Sequence, residues 1–89
     1  MPVISMFYGI IVMMYFFDTA KHHLPHIHVK YAEYSGVIEI ENLLVLEGNL
    51  PANKLRLVLA WMEIHRDELM ANWELAKTGQ PLFKIEPLK

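Results

Sequence analysis

The sequence predicts an α+β fold: a four- or five-stranded, mainly antiparallel sheet, a meander, with one long C-terminal α-helix packed on one face. Three observations carry that expectation. The opening seventeen residues, Met1 to Phe17, are uncharged and rich in β-branched and aromatic side chains. The segment His26 to Tyr34 (HIHVKYAEY) alternates apolar and polar residues. From Pro51 to Lys77 the apolar residues recur with the period of a helix.

The elements follow in chain order. Val3–Tyr8 and Ile10–Phe17 read as two strands, with Gly9 between them as a tight turn or bulge. Asp18 to Pro25 (DTAKHHLP) is a polar loop ending in a residue that cannot donate a ladder hydrogen bond. The strand 26–34 sets Ile27, Val29 and Tyr31 on one face and His26, His28 and Lys30 on the other. Ser35-Gly36 is the expected turn into a strand 37–41 (VIEIE), and 43–47 adds a short fifth strand closed by Gly48. A register that keeps the apolar residues together also sets the histidines beside Glu39 and Glu41. The helix is expected over about 51–77, with Pro51 in its first turn, Asn49 as a possible cap, and Gly79 and Pro81 as stop signals. Residues 80–89 form a tail.

At about 100° per residue, Leu55, Val58, Leu59, Met62, His65, Leu69, Trp73 and Ala76 share one stripe, which should cover the oily face of the sheet. Leu57, Ile64 and Leu75 cluster on nearly the opposite side. They read either as an interface for oligomerisation or as a patch covered by the C-terminal LFKIEPL segment.

The 89 residues make one domain, 1–89, without repeats, low-complexity runs or linkers. Hydrophobic residues make up 54% and charged residues 20%, an apolar surplus that fits a protein working against a partner, either as a homo-oligomer or with a small protein. Disorder is excluded. A net charge of −2 argues against binding nucleic acid chiefly through phosphate contacts. Without cysteine there is no disulfide, thiolate metal site or cysteine nucleophile. The apolar opening is interrupted by Pro2, Ser5 and Gly9, too short to span a membrane and without the basic start of a secretory signal, so a cytoplasmic location is expected.

Four of five histidines, His22, His23, His26 and His28, lie within seven residues. His-x-His on a strand places two imidazoles on one face, one pleat apart, and such a pair can share an ion. His23, His26 and His28, with Asp18, Glu39 or Glu41 as further ligands, are the candidate set for a divalent metal. Zinc, nickel or iron would suit imidazole with carboxylate. The alternative is that these are polar residues on an exposed sheet face, paired with Glu39 and Glu41. The same His26 and His28 are candidate acid–base residues for a hydrolase or nuclease, with Lys21 or Lys30 as the cation. No Gly-rich phosphate loop, GxSxG or HExxH motif supports another enzyme class. His65, flanked by Trp61 and Leu69, reads as a hydrogen-bonded core residue, and Trp61 and Trp73 as core or interface anchors.

The opening PVISMFYGIIVMMYF, the central HHLPHIHVKY and the closing LVLEGNLP and LVLAWMEIHRDELMANWELAKTGQPLFKIEPL are similar, nearly end to end, to a family of small bacterial proteins catalogued as domain of unknown function 4160. The PHIHV box at Pro25 to Val29 and the HRDEL–NWE segment at His65 to Glu74 are its specific parts. Leu24 stands where the family commonly has a second proline, a departure that affects loop shape and leaves the His26/His28 pair intact. The resemblance implies a small prokaryotic cytoplasmic protein with strands followed by one long helix, and no established activity, substrate or cofactor. By analogy with two-gene modules, it fits a protein-interaction or regulatory role in a toxin–antitoxin-like pair.

Overall fold

The computed structural model describes residues 2–16 and 24–89. Five strands run β1 (Val3–Phe7), β2 (Ile10–Met13), β3 (His26–Tyr31), β4 (Tyr34–Glu39) and β5 (Val45–Gly48). Helices α1 (Ala52–Ile64) and α2 (Arg66–Lys77) follow. The strands lie in chain order in one sheet and each pairs antiparallel with the next. This is the expected α+β meander.

The first hairpin turns at Tyr8-Gly9. Both residues have positive φ (50° and 79°), the combination that matches the twist of the flanking strands. β2 leaves the ladder at Met13, short of the expected Phe17. Beyond it the aromatic side chains take different partners: Tyr15 stacks on His28 and Phe16 tilts onto Trp73.

The second hairpin corrects the expected turn. β3 ends at Tyr31, the chain reverses through Ala32 (φ 52°) and Glu33, and Ser35-Gly36 lies inside β4. The pairing of Ile27 with Ile38 and of Val29 with Gly36 keeps the apolar residues together, as hydrophobic alternation demands. Gly36 serves packing instead of turning. A Cβ there would already touch Leu50 Cδ1 at 3.4 Å and the Glu47 carbonyl at 3.5 Å. β4 therefore stops at Glu39, and Glu41 falls in the following turn instead of opposite a histidine.

β5 starts two residues later than expected and carries a bulge, since Val37 pairs with Glu47 but Ile38 with Val45. Gly48 sits at φ 103°, and a Cβ there would collide with the Ser35 carbonyl and Gly36 Cα. Only glycine permits that approach.

The single long helix is also corrected to two. His65, at φ −109° and ψ 24°, joins them. Its N–H still bonds Trp61 O and its carbonyl still accepts from Leu69 N, so the joint is a kink within nearly continuous bonding. The His65 imidazole turns to the Glu68 carboxylate (2.5 Å), and Asp67 and Glu68 place acid in the first turn of α2, where the helix dipole favours it. At the start of α1, Pro51 occupies the cap position and no side chain caps the helix. Asn49 instead donates its backbone N–H to Ser35 O.

Ile4, Phe7, Ile10, Val12, Ile27, Val29, Ile38 and Ile40 from the sheet side meet Val58, Trp61, Met62, Leu69 and Trp73 from the helices in one buried cluster. Each such side chain contributes about 1.5–3 kcal/mol through burial. The tail closes this core. Ile85 is buried in it, Trp61 Nε1 donates to Glu86 O, and buried Asn72 brackets Phe83, donating to its carbonyl and accepting from its N–H (2.9 and 3.0 Å).

Candidate functional site

Strand alternation puts His26 and His28 on the same side of β3, and their rings lie 5.2 Å apart, edge to face. That side is not uniformly open to solvent, as the sequence implied. His26 and its cross-strand partner Glu39 are both fully buried. His26 Nδ1 bonds Leu24 O at 2.6 Å, and its ring packs 5.0 Å from that of Trp73. The Glu39 carboxylate accepts from the backbone N–H groups of Glu41 and Asn42, both at 2.9 Å, and so braces the turn from β4 to β5. A buried carboxylate held in this way fixes the backbone; its two oxygens are engaged by the chain itself.

His28 is half-buried and stands apart from this arrangement. Tyr15 stacks on its ring at 4.2 Å, and the phenol oxygen lies 3.1 Å from Nδ1. Beside it a cavity of about 300 Å³ opens over the sheet, lined by Tyr15, His28, Lys30, Ser35, Val37 and Glu47 among others. His28 thus meets a cavity that His26 does not line. Tyr15 was not singled out by sequence reasoning, because it lies past the end of β2, where alternation no longer predicts a face.

Of the candidate metal ligands, His26 and His28 are together, Glu39 is engaged by the turn, and Glu41 is exposed. His23 and Asp18, with His22 and Lys21, lie outside the described residues. Among the described residues no three His, Asp or Glu side chains gather as a metal site. Among the expected interface residues only Ile64 is exposed; Leu57 packs half-buried against the core and Leu75 is half-buried. The kink at His65 divides the stripe that a straight helix would have presented.

The family model described as domain of unknown function (DUF4160) matches residues 9–74. The chain belongs to this family. The DUF4160 match runs from the first hairpin through Glu74 and takes in His26, His28, Glu39, Asn72 and Trp73. It leaves out β1 and the tail, two segments that bond to each other through Ile85 N and Ile4 O (2.8 Å). Comparisons with curated proteins and with solved structures find no match. Among the described residues no helix is long and apolar enough to cross a membrane.

That bond between tail and β1 exposes a second feature of this DUF4160 chain. The sheet has two edges. At the β1 edge the tail bonds Ile4 O, whereas among the described residues β5 has no strand beyond it and all four of its residues are exposed. Leu44, Val45 and Leu46 leave 54%, 45% and 37% of their surface open. The Leu44 carbonyl accepts from Glu39 N on the inner side, so alternation turns the N–H and C=O of Val45 outward. The signal was present in the sequence as LLVL without lysine or proline, the residues that ordinarily protect an edge.

Proposed function

We propose that this protein is a protein-interaction module that accepts an extended segment of another polypeptide as a sixth strand along β5. The observation that supports this reading is the contrast between the β1 edge, where the tail bonds Ile4 O, and the β5 edge, where Leu44, Val45 and Leu46 are exposed. In such recognition the main chain supplies affinity, each added hydrogen bond contributing about 0.5–1.5 kcal/mol, and the flanking side chains supply selectivity. A partner chain of a toxin–antitoxin-like pair, in which this module regulates or is regulated by the bound segment, fits the reading. Exposed Ile64 offers a second contact on the helix side.

The test uses Val45→Pro, which removes an outward N–H without breaking an inner ladder bond, together with Leu46→Lys, which places a charge on the edge. Both variants should stay folded by circular dichroism and lose capture of a strand-forming partner. Retained capture in both would overturn the reading.

A second reading, a His-based or divalent-metal-dependent hydrolase or nuclease using His26 and His28, is favoured by the cavity beside His28, Tyr15 and Lys30. With His26 buried against Trp73, His28 is the imidazole positioned to act on a molecule in that cavity. Hydrolysis of a chromogenic phosphodiester, measured alone and with zinc, nickel or iron, should be abolished by His28→Gln on this reading. No turnover under any of these conditions would remove it.

A further inference from the structure

We infer that the strand received at β5 is β5 of a second copy of this chain, paired antiparallel about a two-fold axis through Val45. The inference rests on the strand-addition reading and names the occupant. A two-fold interface needs a surface complementary to itself. The edge offers one, because Leu44-Val45-Leu46 reads the same in both directions about Val45, and these three are its exposed apolar residues.

Geometry selects that register. Two copies exchange a pair of main-chain bonds only at a residue whose N–H and C=O both point outward. Those of Val45 do, because Glu39 N bonds Leu44 O on the inner side and Ile38 lies opposite Val45. Pairing Val45 with its own copy also keeps the faces matched. Val45 shares the helix side with Ile38, so the two valines meet there, while Leu44 of each copy meets Leu46 of the other on the opposite face. An axis between Val45 and Leu46 would set helix-side residues against the opposite face, and the bulge at Leu46 disrupts a ladder centred on that residue. Charge permits the same register. The two Glu47 positions fall four residues apart along the paired strands, roughly 13 Å and beyond the screening length of about 10 Å at 0.1 M salt. The arrangement makes no demand on the Glu47 carboxylate.

The ladder is short. Leu43 sits at φ 57° and the bulge follows Val45, which leaves two main-chain bonds, each Val45 N–H donating to the other copy's Val45 carbonyl. The pair therefore belongs to the small, transient class of interface, monomeric when dilute and half-associated at roughly 0.1–1 mM. Association through this edge closes at two copies.

Sedimentation of the full chain from about 10 µM to about 2 mM tests the inference, with Val45 amide exchange read on the same samples. Dimer and Val45 protection should grow together with concentration, and Val45→Pro should abolish both. Leu44→Lys and Leu46→Glu, each folded by circular dichroism, should each weaken the dimer roughly tenfold. The double variant sets lysine against glutamate twice, so at low salt it should recover to within about threefold of the unaltered chain, and weaken as salt is added. A double variant that does not recover would overturn the register and with it the inference, as would a dimer that survives Val45→Pro. A chain still monomeric at the highest concentration, whose Val45 amide is protected by an end-blocked peptide alternating valine and threonine, would overturn the second copy and leave strand addition standing. If neither the chain nor the peptide protects Val45, strand addition itself fails and the inference falls with it.

Discussion

The two edges of this sheet are treated in opposite ways. At β1 the chain supplies its own cover: the tail crosses the edge, Ile85 N bonds Ile4 O, and the Ile85 side chain fills the core. At β5 a Leu-Val-Leu run is exposed, with no further strand beside it among the described residues. A sheet with two open edges can polymerise, and one with none cannot recruit a strand. A single open edge limits association to one strand on one side, which is what a specific binding module requires. On the proposed reading, the tail matters to function through the edge it removes.

The largest expected effect comes from uncovering the closed edge. Ile85→Ala should cost about 2–5 kcal/mol in urea unfolding, as for other large-to-small changes in a packed core. A stability loss below about 1 kcal/mol would show that the tail is not part of the core. Asn72→Ala comes next. It strips both bonds that fix Phe83 and leaves buried backbone groups unpaired, so a loss of about 1–3 kcal/mol is expected, with faster exchange of the Phe83 amide. An unchanged Phe83 exchange rate would separate the tail's position from this bracket.

On the open side, Gly48→Ala meets both positive φ and the Ser35 carbonyl. It should cost about 1–3 kcal/mol and loosen β5 specifically, seen as altered amide shifts confined to 35–37 and 45–48. The smallest effect is the most telling. Leu46→Lys should alter stability by no more than about 0.5 kcal/mol, because the side chain is exposed, yet abolish partner binding. A large stability loss would mean that β5 is a structural edge and not a docking one.

Much of this architecture was legible where alternation governs. HIHVKY announced its strand, its two faces and the pairing of His26 with Glu39. Three features were not legible, each for a physical reason. Ser35-Gly36 has turn chemistry, but register outweighed it, and Gly36 packs beside Leu50 inside β4. The helix from Pro51 keeps its apolar period through His65, so periodicity could not reveal the kink; the acidic first turn at Asp67-Glu68 was the available sign. The burial of His26 depends on Trp73, distant in sequence, and strand alternation carries no information about what packs over a strand end. The open edge escaped notice because openness belongs to the sheet order and the path of the tail, not to any local pattern.

Amide hydrogen exchange of the isolated protein, read at Val45 and Ile85, tests the contrast between the edges most directly. Ile85, bonded to Ile4, should be strongly protected, whereas Val45 should exchange close to the free-peptide rate and become protected only when a strand-forming partner is added. Protection of Val45 in the isolated chain, or an Ile85 amide that exchanges as fast as Val45, would contradict the account.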